Sequence, residues 1–425
     1  MLKSCIATIS RFYCKYYCST DITQPLIELV HFFDLEKGNQ MLGFSSFLSQ
    51  LNGLFGGEGL DPSSPWMWVS IMSLAIIPFF MIYAQKLQSR VIIGEVSKSL
   101  AKLKTMRENA RKEAIDYVKT AIKITSTSSD PAVGVDRFLE YFTILPVDLD
   151  PTGLVRKLDH VMRTRDDRVR AEIKKLCYGA EDREISKIEN ILEAATALNL
   201  IYKVVRHYYL MGKRTTSMFV LVQLQMVMPL LLEEAEALQK AISAFKRGQP
   251  IGDGIGPMVV GKMMVGKEKK HAAKETIYSE DEYKGRKLYL LKAEGPAGTV
   301  GRPGEAIIRL VGDMGIKIDT IIMIDAALKL EGEKTGDVAE GIGAAVGGIG
   351  VEKYQVEEVA TRFNIPIYAV IVKQSVQDAI TIMRKEIADA FEKVTNTVYS
   401  VIEDRTSEGQ SVMVIGIGNT IGVGQ

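Results

Sequence analysis

The chain of 425 residues is poor in the side chains that most often do chemistry, with four cysteines and four histidines. Cys5, Cys14 and Cys18 crowd the start and Cys177 stands alone. That distribution excludes a disulfide framework and agrees with a reducing compartment for the bulk of the chain. Cys14 and Cys18 have the spacing of half a metal site, but no second pair completes it. His160, His207 and His271 are isolated from one another. There is no G-x-S-x-G, no H-E-x-x-H and no Cys/His pair, so the common hydrolase signatures are missing. Strong charge of one sign is missing too: the net charge is +1, which leaves no global field for nucleic acid, and none is expected as a partner.

Long apolar runs are equally scarce, which makes the one at Pro65–Tyr83 (PWMWVSIMSLAIIPFFMIY) decisive for the layout. It carries no charge and has about the length that a helix needs to cross a hydrocarbon core. Trp66 and Trp68 mark one end and Tyr83 the other, as aromatics do at lipid–water interfaces. Glu58 and Asp61 precede it; Lys86, Arg90, Lys98, Lys102 and Lys104 follow. That bias directs the C-terminal side to the cytoplasm. The expectation is a single-pass protein of the cell membrane with a transmembrane helix at 65–84 and its C-terminal domain cytoplasmic.

Residues 1–64 read as an irregular tail. Its texture changes at Met41, which is the expected native start, with 1–40 an upstream extension. Residues 85–248 read as a helical stalk and bundle. Ile93, Val96, Leu100, Leu103, Ala110 and Ala114 recur at helical steps. Between Gln85 and Thr125 there are ten Lys/Arg and four Asp/Glu, an excess that reads first as a solvated helix face and second as a contact for anionic lipid heads. Ser217–Leu232 is the second most apolar run; it holds Gln223, Gln225 and Pro229 and is read as a buried helix rather than a second crossing. A bundle of this kind is also a candidate for homo-oligomer formation.

Residues 249–274 read as a Gly/Lys-rich linker. Within it, Gly256 to Met263 nearly matches a phosphate-binding P-loop. Met263 stands where a Ser or Thr must hold magnesium, and no strand leads in, so the match is rejected.

From 275 to 425 the pattern changes to alternating strands and helices. Strands are predicted at Lys287–Lys292, Ile318–Ile324, Pro366–Val372 and Ser411–Ile415. Helices are predicted at Gly304–Met314, Glu352–Phe363 and Ser375–Ile402. The fold class is therefore α plus α/β, with a C-terminal, mostly parallel α/β sandwich. Ligands in such sheets bind beyond the carboxyl ends of the strands. Glycine collects there: Gly295, Gly298, Gly301 and Gly304 lead into a helix. A strand–Gly-loop–helix unit offers backbone N–H groups to an anion. The sharpest expectation is a phosphate-bearing, nucleotide-like ligand at that loop, with Thr299 adding a hydroxyl and Arg302 a charge. Asp325, at a strand end, is placed to meet a sugar hydroxyl or metal, and Asp337 and Glu340 to complete a carboxylate set. Gly416, Gly418 and Asn419 lie in a second loop of dinucleotide-binding appearance, with no helix after it. No cofactor and no reaction can be named from these residues.

Three long segments carry a resemblance: GRPGEA (Gly301–Ala306), ALKLEGEKTGDVAEGIGAA (Ala327–Ala345) and IGIGNTIGVGQ (Ile415–Gln425). From about Met41 onward the chain resembles an uncharacterised archaeal family of membrane-anchored proteins. The resemblance implies a membrane setting and no catalytic residue. Two functions remain: a ligand-binding α/β domain held at the membrane, or a membrane scaffold whose α/β domain is an interaction module.

Overall fold

The computed structural model describes residues 65–121, 130–143, 146, 151–348 and 350–424; most side chains of 65–85 lie outside that description. The expected tail and Met41 start fall outside it as well.

The helical region is built around α1 (Pro65–Ala121), a single helix of 57 residues. After α2 (Pro131–Leu139) and α3 (Pro151–Leu176) come α4 (Asp182–Thr215) and α5 (Met218–Arg247), which form a hairpin against α1. Thr216, in the left-handed region at φ 51°, turns the chain, and the Ser217 hydroxyl caps α5 by accepting from the Val220 N–H. α1 and α5 run parallel: Ser89 meets Met218 and, further along, Lys246 meets Glu113 at 3.1 Å. α4 runs antiparallel, with Arg107 Nε donating to Asn199 Oδ1 at 2.7 Å and Tyr117 to Glu184 at 2.8 Å. The apolar stripe of α1 is therefore a core face of the bundle; Ile92, Val96, Leu103, Ala110 and Ala114 are buried in it. Two of the stalk cations pair with carboxylates on the surface of the bundle, Lys102 with Glu236 and Arg111 with Asp136.

This registry leaves Pro65–Gln88 running past the tip of the α4–α5 hairpin, a projection of about 36 Å. Among the described residues, one helix, α5, is long and apolar enough to cross a membrane by length and composition, and 39% of its apolar window is buried.

The α/β region is a seven-stranded sheet in the order β1-β2-β3-β7-β4-β6-β5. Its strands are β1 (Lys270–Ala273), β2 (Thr276–Tyr283), β3 (Arg286–Ala293), β4 (Thr320–Leu328), β5 (Val338–Ile342), β6 (Ile367–Gln374) and β7 (Ser411–Gly416). β3, β7, β4 and β6 form a parallel centre; the β1–β2 hairpin and β5 add antiparallel edges. Successive residues of the central strands face opposite layers. Leu290, Ile322, Ile324, Val370 and Val414 pack with α6 (Ile255–Met263) and α10 (Lys385–Arg405). Leu291, Ile321, Met323, Met413 and Ile415 pack with α7 (Pro303–Ile307), its π-helical continuation Ile308–Asp313, and α8 (Val351–Phe363).

Three features differ from the sequence reading. The stretch read as a linker contains α6, buried against the sheet, and all of β1. Its glycines allow close approach: a Cβ on Gly256 would lie 2.4 Å from the Ile417 carbonyl oxygen and 2.5 Å from that of Ile324. β2 and β5 were unforeseen because both are half polar. The long helix expected at 375–402 is broken into α9 (Val376–Ile380) and α10, because the Met383 N–H donates to the Pro250 carbonyl and Ile382 bridges Ile251.

Candidate functional site

The parallel strands end together, and three segments meet over their carboxyl ends: the glycine loop 294–302, the tail 417–424, and the turn Gly252–Gly254 that opens α6. The tail is buried along most of its length. Gly418, at φ +131°, passes so close that a Cβ would lie 2.0 Å from the Asp253 carbonyl oxygen. The Asn419 N–H donates to Asp253 Oδ2 at 2.7 Å, and Asn419 Oδ1 accepts from the Ile421 N–H at 2.9 Å. Gly416, in register with Lys292 and Ile324, is pressed against Gly256. The second glycine loop is thus a packed tail, and its glycines serve close backbone contact.

The first glycine loop is also internally satisfied. The Thr299 N–H donates to Thr420 Oγ, the Gly301 N–H to Thr299 Oγ at 3.1 Å, and the Arg302 N–H to Thr276 Oγ at 2.7 Å. The Gly304 N–H, at the start of α7, donates to Glu352 Oε2 at 2.7 Å. A protein carboxylate stands where an anion was expected. Burial pushes the Glu352 carboxyl up to about 7, against the pull of that N–H and of Arg302. Gly295 precedes a cis peptide to Pro296 and abuts the Val423 carbonyl.

Beside this loop, at the seam with the helical region, lies a cavity of about 70 Å³. Asp166 and Arg170 of α3 and Glu189 and Asn190 of α4 line one side; Lys274, Glu275, Gly298, Thr299, Gly301, Arg302 and Asn419 line the other. Arg170 and Thr299 grip the Glu275 carboxylate from two directions, the Thr299 hydroxyl donating at 2.6 Å. Glu275 itself sits at φ +54° in the β1–β2 turn, a strained setting for a residue with a side chain. Asn190, 2% exposed, donates to the Gly298 carbonyl at 2.9 Å. Lys274 reaches Asp167 at 2.5 Å. Arg170, Lys274 and Arg302 therefore converge on the cavity, balanced by Asp166, Glu189 and Glu275.

Of the residues singled out from sequence, Gly298, Thr299, Gly301, Arg302 and Asn419 line this cavity. Asp325 lies inside β4 and not at its end, three residues before Leu328; it is 1% exposed and accepts from the Ala326 N–H at 2.7 Å. Asp337 and Glu340 lie at β5, two strands further out; Glu340 pairs with Arg405 at 3.2 Å. The three carboxylates are not brought together, and no group of His, Cys, Asp or Glu that could hold a metal is found among the described residues. Sequence reasoning missed Asp253 and Lys292. Lys292 is 1% exposed, packs under Gly261, and donates to the Ala293 carbonyl at 3.0 Å. Burial lowers its ammonium to about 8. The signal was a lysine closing an otherwise apolar strand end, KLYLLK.

Two family models match this chain end to end of its described core. Residues 70–248 match the protein of unknown function (DUF1512) N-terminal domain, and residues 251–424 match the domain of unknown function (DUF1512) C-terminal. The chain belongs to the DUF1512 family. No curated protein and no solved structure matches it. The boundary between the two matched regions falls at Gly248–Ile251, between α5 and the turn that opens α6, so the cavity lies at the seam of the family's two domains.

Proposed function

We propose that this DUF1512 chain is a membrane-anchored protein that binds a small phosphate-bearing ligand in the seam cavity. The observation that carries the reading is the convergence of Arg170, Lys274 and Arg302, from three separate elements, on one polar cavity beside the Thr299 hydroxyl. Arginine suits phosphate by its planar donor fork, and lysine adds a point charge. The Thr299, Gly301, Arg302 and Gly304 amides are already spent, so side chains would do the binding, with the ligand displacing Glu275 from Arg170. A volume of about 70 Å³ suits a phosphate group with the rest of the ligand outside. Pockets that enclose a whole drug-sized ligand run from about 300 Å³ upward. The projecting, apolar first part of α1 supports a single span at 65–84. The charge step after it supports a cytoplasmic domain.

The test is thermal unfolding of the full chain with inorganic phosphate, sugar phosphates and nucleotides. A ligand at a hundredfold over its Kd stabilises by about 2.7 kcal/mol, which shifts the midpoint by degrees. Arg302→Ala is expected to abolish the shift while the unliganded midpoint stays within a few degrees. A second reading, a membrane scaffold, is favoured by the pairing of Arg170 with Glu275 and Lys274 with Asp167. If no ligand in the panel moves the midpoint, the scaffold reading takes over.

A further inference from the structure

The tip of the helical region has a charge pattern that the seam cavity does not explain. No acidic residue lies between Pro65 and Gly94 in α1, between Ala194 and Thr215 in α4, or between Met218 and Leu232 in α5. The parallel registry of α1 with α5 and the antiparallel run of α4 bring these three stretches to one end of the bundle. Lys86, Arg90, Lys213 and Arg214 surround the point where α1 leaves it, and all four are exposed. Exposed Leu87, Val91 and Leu210 lie among them. The opposite end mixes both signs, with pairs such as Lys246–Glu113 and Lys187–Glu184.

We propose that this acid-free tip is a second membrane contact, seated on the anionic headgroups of the leaflet through which α1 enters. The inference rests on the reading of α1 as a span and adds a surface that reading does not include. The occupant is set by continuity. The projection of α1 beyond the tip, about 36 Å, exceeds a hydrocarbon core of about 30 Å by no more than a headgroup layer. The tip is thereby held at headgroup depth. Mixed cationic and apolar side chains suit that depth, cations reaching phosphates and apolar groups reaching the acyl boundary. Each Lys or Arg near an anionic surface improves binding about fivefold, and salt weakens the effect.

The test reads depth in the full chain reconstituted into vesicles of phosphatidylcholine alone or mixed with phosphatidylserine. Cys5, Cys14 and Cys18 are replaced by serine, buried Cys177 is kept, and an environment-sensitive fluorophore is placed at Leu210→Cys, Ile76→Cys or Arg247→Cys. The expected result is quenching of the Leu210 label by headgroup-attached spin labels, stronger with phosphatidylserine. That gain is lost in high salt and in the Lys213→Glu/Arg214→Glu variant, while the Arg247 label stays unquenched throughout. Quenching of the Ile76 label by acyl-chain spin labels with none at Leu210 would leave the span standing and overturn the tip contact. Leu210 quenching that ignores lipid charge, salt and charge reversal would also overturn it. Quenching at neither position removes the span and this inference together.

Discussion

Asp253 is buried at 3% exposure, and burial pushes its carboxyl from 3.8 up to about 7, opposed only in part by the Asn419 N–H. The unfolded chain loses that proton near pH 4. Between about pH 4 and pH 7 the folded state therefore holds a proton that the unfolded state has released, so stability falls as pH rises through that window. Glu352, raised to about 7, acts in the same direction. Lys292 acts on the alkaline side. Its pKa, lowered from 10.5 to about 8, means that the unfolded state holds the extra proton between those values, so stability rises with pH there. Together the three groups place a minimum of stability near pH 7–8. Asp253→Asn is expected to flatten the acid-side slope, read as urea midpoints measured from pH 4 to 8; an unchanged slope would remove Asp253 from the account. Glycines test backbone approach at the same scale. Gly256→Ala places a methyl 2.4 Å from a backbone carbonyl oxygen that cannot rotate away, and is expected to cost about 3 kcal/mol. Gly312→Ala, in the π-helical turn with nothing within 4 Å, is expected to stabilise by about 0.5 kcal/mol. Chemical denaturation of the pair separates close packing from mere glycine content.

At the level of elements, the four parallel strands were legible because each is a short apolar run buried on both faces, as IDTIIMI and PIYAVIV are. The elements that were not legible depend on partners distant in sequence. β2 reads TIYSEDEY and β5 reads VAEGI; each is polar enough to pass for loop until its neighbour supplies a ladder. The break before α10 has no proline or glycine to announce it, since Pro250 and Ile251 create it from over a hundred residues away. Glycine misled in both directions. It suggested a linker where α6 packs on the sheet, and a phosphate cradle where the tail packs under the loop. Half of the cavity was invisible for the same reason: Arg170, Glu189 and Asn190 lie on helices with no motif of their own. The tail ties these pieces together. Ile421, 0% exposed, belongs to the core of the helical bundle although it follows the last strand of the sheet. Ile421→Ala is expected to cost about 3 kcal/mol. Because the residue joins both regions, the helical signal in circular dichroism and the exchange of sheet amides should lose protection together. A sheet that stays protected while the helices melt early would show that the tail does not couple them.

At the level of the whole molecule, two apolar helices are candidates for the span proposed above, and the packing of α5 bears on the choice. α5 directs Leu221, Leu224, Met228 and Leu231 into the bundle, against α4 and α1. Moving it into lipid would strip that core and leave its partners on α1 and α4 facing water, at roughly 1.5–3 kcal/mol for each large side chain so exposed. It would also carry Glu234, buried at 7% exposure, toward a hydrocarbon phase. In α1, Ile92 is the first of the described residues to be buried in the bundle core. A chain that begins at Gln85 therefore keeps every described core residue of the bundle and the sheet. It is expected to fold with the midpoint of the full chain and to be recovered in the high-salt supernatant of membranes without detergent, whereas the full chain stays with the pellet. Salt matters to the reading, since the cationic tip would hold the shortened chain on anionic lipid at low ionic strength. If the shortened chain resists extraction by both salt and alkaline carbonate, α5 is the segment in the bilayer, and the orientation argued from the charges after Tyr83 falls with the anchor.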